Sequence, residues 1–508
     1  MVGRSCWRAV AGICPTLAIP GHARQYPPCD QIASGDGIAR LIPICCTAKG
    51  SVMQQTPAVH QPVSFATKFL YGIGQLGGQV FRDTPAVLLP VFMITMLGIP
   101  AWIAGLVVLF PKLWVIICDP LMGNLSDRIE PRRGRAPLLL AGAIAASVGF
   151  AALFATSAYP SPNVAAAVLC LLFLLASTGF SAFSVPYLAL AAELSEDPHE
   201  RTRILVYRMV FTIAGVLLGV GVAQPLVFWM GGGDTGWRAM GLILGVTICA
   251  SMVATALGFW KFRANTVTAG PISLMAQLRI AARNRPFRLL TGMQFVLTLA
   301  QACGYSVVGL VFLYPIGNIA LLPAFVIVMS VGSLFSQPFW MKSSERFGKL
   351  AMFVFATLGW TVVTFSWFWV GSAGTATVAV PIMGAMPMEQ ALVLVRAIII
   401  GVFNSGFVLL AISMLTDTIN HGRANEATPA DGALAGIFTA TEKLAFAVGP
   451  AIGGIILSVM GLQSSTHGAI VQSEEAIRGI LLLYSLIPGA FALISLLFLR
   501  NYRKSFAR

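Results

Sequence analysis

The chain has 508 residues, of which 57% are hydrophobic and only 10% are charged. Soluble domains carry about 25% charged residues, so this composition excludes a soluble enzyme, a disordered chain and a nucleic-acid-binding protein. The formal net charge of +14 suggests a nucleic-acid partner in a soluble protein. In a membrane protein, the same excess of Lys and Arg is expected in the cytoplasmic loops, so the positions of the charges decide between the two.

From about residue 66 onward, the hydrophobic pattern predicts membrane helices. A bilayer core of about 30 Å needs about 20 apolar residues per helix. The chain contains twelve such runs, which predict an all-α membrane protein. The predicted spans are residues 66–97, 101–124, 136–158, 164–193, 204–229, 237–260, 288–315, 322–341, 350–371, 389–416, 431–460 and 475–499.

Basic residues are confined to alternate connections between these spans. One set of loops, together with the C-terminal tail, holds 20 Lys and Arg residues. The longest of these loops, residues 261–288, contains no acidic residue. Cytoplasmic loops carry such an excess of Lys and Arg, so both termini are expected in the cytoplasm. The opposite loops hold no basic residue and comprise residues 159–163, 230–236, 316–321, 372–388 and 461–474.

An internal repeat divides the membrane region into two halves. An Asp-Pro pair at 119–120 is followed by an Asp-Arg pair at 127–128, and a Gln-Pro pair at 337–338 is followed by a Glu-Arg pair at 345–346; the two sets lie 218 residues apart. Duplicated six-helix halves joined by a basic loop resemble the architecture of major facilitator transporters. The predicted units are an N-terminal six-helix half at 61–260, a basic cytoplasmic linker at 261–287, and a second six-helix half with a short basic tail at 288–508.

The residues after the second helix of each half also resemble a motif of that superfamily. There, a carboxylate and an Arg between helices 2 and 3 latch the cytoplasmic face in one conformation. The alternative is a solvated loop that merely holds the positive-inside charge, and the presence of two copies favours the latch. The resemblance implies latch residues Gly123, Asp127, Arg128 and Arg135 in the first half, and Glu345, Arg346 and Asp417 in the second.

Ionisable residues inside the predicted spans are candidates for function, because charges are costly in a membrane. Neighbours on a helix do not share a face, so Arg82 and Asp83 are expected to reach different partners. Asp119 precedes a proline and has Gln337 as its repeat partner, which suits a site for a coupling ion. Structural ion pairs are the alternative for each residue. The full set is Arg82, Asp83, Lys112, Asp119, Arg208, Arg396, Glu442 and Lys443.

Residues 68–74, 114–123 and 186–190, together with Asp417 and Lys443, resemble the glycoside–pentoside–hexuronide:cation symporters of the major facilitator superfamily. The resemblance extends from about residue 66 to residue 500. It implies twelve transmembrane helices in two six-helix halves, in a bacterial inner membrane. It also implies cation-coupled symport of a sugar or glycoside by alternating access, carried out by a monomer.

The resemblance places the coupling site on helices 2 and 4. The central carboxylate of the family falls on Asp119 and the hydroxyl of its sodium site on Ser181, and Cys118 lies beside them. The companion carboxylate of the family falls on Val115 and is lost. A single carboxylate in a low-dielectric site suits proton uptake, so the expected coupling ion is a proton rather than sodium.

The sugar-binding positions depart further from the family pattern. Both carboxylates that grip a galactoside are replaced, by Gln79 and Ser184, so melibiose and lactose are not expected. Five cations against three acids in the spans leave two cations over, and an acidic sugar whose carboxylate meets Lys112 or Lys443 would compensate them. Alternatively, the spare bases reach backbone carbonyls or water, and the substrate is a neutral glycoside. The expected substrate-binding residues are Gln79, Arg82, Asp83, Lys112, Ser184, Tyr187, Arg208 and Lys443.

The sequence shows neither a phosphate-binding glycine loop nor a His within the spans that could serve as a catalytic base. We therefore expect no enzymatic activity, no cofactor and no metal. The expected partners are a small-molecule solute, a coupling cation and the lipid bilayer. A non-sugar transporter of the same fold, or a non-transporting receptor or membrane enzyme, remains as the alternative.

The first 60 residues are expected to be a disordered or spurious extension. A secretory signal is disfavoured because Pro15 and Pro20 interrupt the weak apolar stretch, and a disulfide framework is disfavoured by an odd number of cysteines. A flexible cytoplasmic tail, or upstream sequence translated in error, fits better. A chain that begins at Met53 is then expected to insert and transport normally. The cysteines of this segment are Cys6, Cys14, Cys29, Cys45 and Cys46.

Overall fold

The computed structural model describes residues 63–194, 198–262, 279, 281–371, 376–380, 384–425, 431–466, 468–500 and 502. The predictions for the N-terminal extension and for most of the basic linker and tail lie outside these residues. The described chain belongs to one compact unit. It consists of long helices and one short hairpin.

The first half contains six helical segments of membrane-spanning length. Helix α5 is a continuous run of Pro198–Val216, a π-helical segment Leu217–Val222, and Ala223–Trp229. The other five are α1 Phe65–Met96, α2 Ala101–Arg133, α3 Ala136–Leu153, α4 Pro162–Glu193 and α6 Gly233–Gly258.

The second half repeats this arrangement with six further segments. A 3₁₀ turn precedes α8, another follows α9, and Ser485 interrupts α12. The segments are α7 Arg285–Leu313, α8 Leu322–Phe347, α9 Lys349–Ser366, α10 Met388–Asn425, α11 Asp431–Val459, and α12 with its parts Glu474–Tyr484 and Leu486–Leu499.

Eleven helices of the described chain are long and apolar enough to cross a membrane. Helix α1 has 32 residues but is more polar, because it carries Lys68, Arg82 and Asp83. It packs against α5 and α6 inside the first half and brings the long helices of the described chain to twelve. The predicted all-α membrane fold is confirmed.

Three helices, α2, α8 and α10, continue past the predicted C-terminal ends of their apolar runs. Helix α2 continues to Arg133 and α8 to Phe347, so the acid–Arg pairs that were expected in loops are helical. Both helices end at a glycine with a left-handed backbone, Gly134 at φ 71° and Gly348 at φ 88°. Charged residues extend a helix into water without an apolar signal, so hydrophobicity alone places the ends too early.

The connection between α9 and α10 forms a hairpin that the sequence reading treated as a plain loop. Strand β1, Thr377–Val380, pairs antiparallel with β2, Gly384–Pro387, with Thr377 opposite Pro387. The β-branched residues of β1 favour an extended strand. This hairpin leads directly into Met388, the first residue of α10.

Small residues allow helices to approach closely. A Cβ on Gly215 of α5 would lie 2.6 Å from the Cβ of Gln79 on α1. Between the halves, a Cβ on Gly105 of α2 would lie 2.6 Å from the carbonyl oxygen of Pro450 on α11. The halves meet mainly through α2 with α11, α1 with α7, and α5 with α8.

One end of the bundle is closed by backbone hydrogen bonds between the halves. The Gly98 N–H donates to the Ser465 carbonyl at 2.9 Å, the Ser465 N–H to the Ile94 carbonyl at 2.8 Å, and the Gly468 N–H to the Thr95 carbonyl at 2.9 Å. We call this end, where the α1–α2 turn meets the segment after α11, the sealed end. The halves are therefore fastened to each other there by main-chain groups.

Substitutions at Gly454 test how closely α2 and α11 pack. A Cβ at Gly454 would overlap the carbonyl of Ala101, whereas a Cβ at Gly436, on the same helix, meets nothing within 4 Å. Forcing extra atoms into such a contact costs about 1–3 kcal/mol. Gly454→Leu is expected to lower the melting temperature of the purified protein clearly more than Gly436→Leu, as measured by thermal unfolding in detergent. Equal shifts for both variants would contradict the packing described here.

Candidate functional site

A ladder of polar side chains runs along one face of α1. Gln75, Gln79 and Asp83 are four residues apart and therefore share this face. Gln75 Nε2 donates to Gln79 Oε1 at 3.2 Å, and Gln79 Nε2 donates to Asp83 Oδ2 at 2.6 Å. Arg208 of α5 joins the ladder through its Nε, which donates to Gln75 Oε1 at 3.0 Å. The packing of α1 on α5 thus extends a hydrogen-bonded chain from Arg208 to Asp83.

Arg82 and Asp83 pair with each other, which corrects the expectation of different partners. Arg82 Nε donates to Asp83 Oδ1 at 3.1 Å, because the long Arg side chain reaches its neighbour although their Cβ atoms point apart. The Asp83 side chain is 7% exposed, whereas that of Arg82 is 63% exposed. Tyr305 and Glu442 of the second half lie within electrostatic reach of Arg82. A guanidinium near both halves is thereby available for contact with a solute.

Asp119 of α2 contacts residues of both halves. Its Oδ1 accepts a hydrogen bond from Ser181 of α4, and its Oδ2 is paired with the ammonium group of Lys443 on α11. The structure thus brings together the two predicted coupling residues and adds Lys443, which the sequence reading placed only among the substrate ligands. Cys118 is buried beside them. We call Asp119, Ser181 and Lys443 the coupling node.

Two of the five cations in the spans have neutral hydrogen-bond acceptors in the described chain. Lys112 Nζ donates to the backbone carbonyl of Phe446 on α11 at 3.2 Å, while Arg208 donates to the amide of Gln75. Arg396 pairs with Glu389 at 3.1 Å, an acid that the count of charges in the spans omitted. The contacts of Lys112 follow the alternative in which spare bases reach backbone carbonyls.

Two of the expected hydroxyl-binding residues are engaged inside the first half. Tyr187 is buried; its hydroxyl donates to the Tyr71 carbonyl at 2.9 Å, and the two rings stack with centroids 4.6 Å apart. The Arg208 guanidinium lies 5.9 Å from the centre of the Tyr187 ring. Gln79 is held within the α1 ladder. Ser184 is half-buried on α4, one turn before Leu188.

Arg135 is the centre of a charged cluster at the end of the first half opposite the sealed end. It donates to Ser126 at 2.6 Å, to Asp127 at 2.9 Å and to Glu193 at 2.6 Å. Burial lowers the pKa of Arg135, but the hydrogen bonds that it donates to Glu193 and Asp127 raise it above its ordinary value overall. Glu193, the last residue of α4, was missed by the sequence reading. Of the other expected latch residues, Arg128 is exposed and Gly123 is half-buried on α2.

The second half has a matching but more exposed pair. Lys349 Nζ, at the start of α9, donates to both carboxylate oxygens of Asp417 at 2.8 and 2.6 Å. Lys349 follows Gly348 as Arg135 follows Gly134, so the structural repeat of the basic residue is Lys349. Glu345 is exposed and Arg346 lies 5.3 Å from the ring of its neighbour Phe347. Of the three residues expected to form the latch in this half, Asp417 is thus paired with Lys349, and the roles of Glu345 and Arg346 stay predictions.

Comparison with known proteins agrees with this architecture. The family profile described as MFS/sugar transport protein matches residues 70–503. The inner membrane symporter YicJ of Escherichia coli (strain K12) is 23% identical over 457 residues, covering 87% of this chain and 92% of the relative. The isoprimeverose transporter of Lactiplantibacillus pentosus is 23% identical over 452 residues, covering 86% of this chain and 88% of the relative.

A solved structure shows the same fold at lower identity. The crystal structure of a D-xylose-proton symporter superposes with a TM-score of 0.57 at 15% identity, covering 86% of this chain and 97% of that structure. The fold therefore defines a multi-pass membrane transporter of the major facilitator type. The chain belongs to the MFS/sugar transport protein family and is a secondary transporter of sugar-like solutes rather than an enzyme.

The two charged clusters differ in burial, which predicts different contributions to stability. The side chains of Arg135 and Glu193 are 6% and 8% exposed, whereas those of Lys349 and Asp417 are 40% and 45% exposed. Breaking a buried pair costs about 3–5 kcal/mol, and an exposed pair contributes about 1 kcal/mol or less. Glu193→Gln is expected to lower the melting temperature in detergent markedly and Asp417→Asn only slightly. The reverse order would contradict the assignment of Arg135 as the buried centre.

Proposed function

We propose that this transporter couples the movement of a cation to the movement of a sugar or glycoside through the coupling node. The observation that carries the proposal is the position of Asp119, which is held by Ser181 of its own half and by Lys443 of the other half. A cation that binds Asp119 competes with Lys443. Because this competition alters a bond between the halves, cation binding changes the energy of their relative motion.

We propose a proton as the coupling ion. Sodium prefers several oxygen ligands, and the second carboxylate that a sodium site would use is replaced by Val115. Asp119 and Ser181 together supply few oxygen atoms, whereas a proton needs only one. In this scheme Asp119 exchanges its ion pair with Lys443 for a proton and releases the Lys443 ammonium group, and loss of the proton restores the pair.

Asp119→Asn tests this coupling. The Asn amide carries no charge and does not take up a proton near neutral pH. Uphill uptake is therefore expected to be abolished, while exchange of labelled solute across the vesicle membrane is partly retained. The measurement is uptake into proteoliposomes driven by an imposed pH gradient or by an imposed sodium gradient.

Asp234→Asn is the matched control, because Asp234 pairs with Arg238 at the start of α6, away from the coupling node. It is expected to keep uphill uptake. Uptake by the unmodified protein that is driven by a sodium gradient at constant pH would refute the proton as the coupling ion. Normal uphill uptake by Asp119→Asn would refute the coupling node itself.

We further propose that the transporter lies in a bacterial inner membrane as a monomer with both termini in the cytoplasm. The distribution of Lys and Arg among the loops supports this orientation. In this orientation the sealed end faces away from the cytoplasm, and the Arg135 and Lys349 clusters lie at the cytoplasmic side. The solute pathway is then closed outside at the α1–α2 turn.

The solute is proposed to be an acidic sugar or glycoside. Arg82 supports this, because its side chain is largely exposed although its Nε is paired with Asp83. A neutral glycoside is the second candidate, and the contact of Lys112 with the Phe446 carbonyl favours it, since that base does not await an anion.

Arg82→Gln separates the two candidates. If Arg82 binds a carboxylate, the variant is expected to lose at least about tenfold in affinity for an acidic glycoside and much less for its neutral analogue. The measurement is competition by phenyl β-D-glucuronide and phenyl β-D-glucoside against labelled solute. Arg238→Gln, at the exposed start of α6, is the control. Equal losses of affinity for both competitors would contradict the acidic solute and favour the neutral glycoside.

A further inference from the structure

A second polar cluster lies between α7 and α11, outside the coupling node and the α1 ladder. Gln294 Nε2 donates to Glu442 Oε1 at 2.8 Å and lies 3.3 Å from Thr298 Oγ1. Glu442 and Lys443 are adjacent on α11, but Lys443 points to α2 and Glu442 to α7. The two charged residues therefore serve different surroundings, and Glu442 has an amide as its closest partner.

Gln294 has an unused acceptor in this cluster. The residue is 8% exposed, and its Oε1 is buried without a hydrogen-bond partner among the described residues. A buried acceptor left without a donor destabilises the empty protein, and buried polar groups are normally hydrogen-bonded. Together with the carboxylate of Glu442, the cluster offers more acceptors than it has donors. A ligand that brings donors would satisfy it.

We propose that Glu442, Gln294 and Thr298 form a subsite for the hydroxyl groups of the transported sugar. This inference rests on the proposed function and assigns part of substrate recognition to the second half. Sugar hydroxyls both donate and accept. They therefore match a carboxylate, an amide with a donor and a free acceptor, and the threonine hydroxyl.

A cation suits the subsite less well than hydroxyl groups do. Cations need acceptors alone, whereas Gln294 Nε2 is a donor directed at the carboxylate. Arg82, with which Glu442 interacts electrostatically, also opposes a second positive charge. Hydroxyl groups meet neither obstacle.

The subsite is placed so that one solute contacts both halves. Arg82 on α1 belongs to the first half and Glu442 on α11 to the second. Phe446, one turn after Glu442 on α11, has its ring centroid 6.3 Å from that of Tyr305 on α7, and aromatic rings commonly pack against the apolar faces of ligands. A sugar whose hydroxyls bind Glu442 and Gln294 thus extends toward the exposed guanidinium.

The experiment measures binding of phenyl glycosides to the purified full-length protein by thermal shift and by isothermal titration. The probes are phenyl β-D-glucoside, galactoside, xyloside and glucuronide, and the monodeoxy derivatives of whichever binds best. Glu442→Gln and Gln294→Leu are each expected to weaken binding of that best probe at least tenfold. Each is also expected to reduce the preference for the full sugar over at least one deoxy derivative.

Thr441→Val is the matched control, because its hydroxyl donates to the Ile437 carbonyl of its own helix at 2.8 Å, and it is expected to bind like the unmodified protein. If the unmodified protein binds none of the probes, the proposed sugar function fails, and the subsite with it. If it binds them and both variants keep affinity and deoxy preference, only the subsite is refuted. A change confined to the sodium or pH dependence of binding would also refute it, in favour of a cation site.

Discussion

The pairing of Asp119 with Lys443 is the contact on which the rest of the transport region depends. It joins α2 to α11, two helices from different halves that also pack closely on each other at Gly105 and Gly454. An ion pair in a membrane is tolerated only if both charges are satisfied. In the proposed mechanism, a ligand that binds one partner releases the other, and the bond thereby transmits ligand binding to the halves.

Around this pair, the polar groups are divided according to the half that carries them. The first half contributes Arg82 and the α1 ladder, in which most side chains bond to one another. The second half contributes Glu442 and Gln294, whose hydrogen bonding is incomplete among the described residues. A solute that contacts both sets stabilises the arrangement in which they lie close together. Selectivity and motion then arise from the same contacts.

Much of the fold could be predicted from the sequence, since lipid requires long apolar helices and basic residues mark alternate loops. The ends of α2 and α8 could not be predicted from hydrophobicity, because their last turns are charged. These two helices end only at Gly134 and Gly348. In the site, the pairing of Asp119 with Ser181 was predicted from the resemblance to the symporter family. The partners Lys443 and Glu193 were not, since Lys443 lies 324 residues from Asp119 and meets it only through the crossing of α2 and α11. The pairing of Arg82 with Asp83 depends on a side-chain conformation that helical spacing does not describe.

The fastening at the sealed end is made of main-chain groups, so its strength does not depend on which side chains occupy those positions. Three backbone hydrogen bonds there contribute about 2–4 kcal/mol in total. Only Gly98, with φ 64°, and Gly468, with φ 102°, have the left-handed backbone that favours glycine. Side chains elsewhere in the bundle can therefore change without weakening these three bonds. The side chains that contact the solute and the bonds that hold the sealed end together are thus independent of each other.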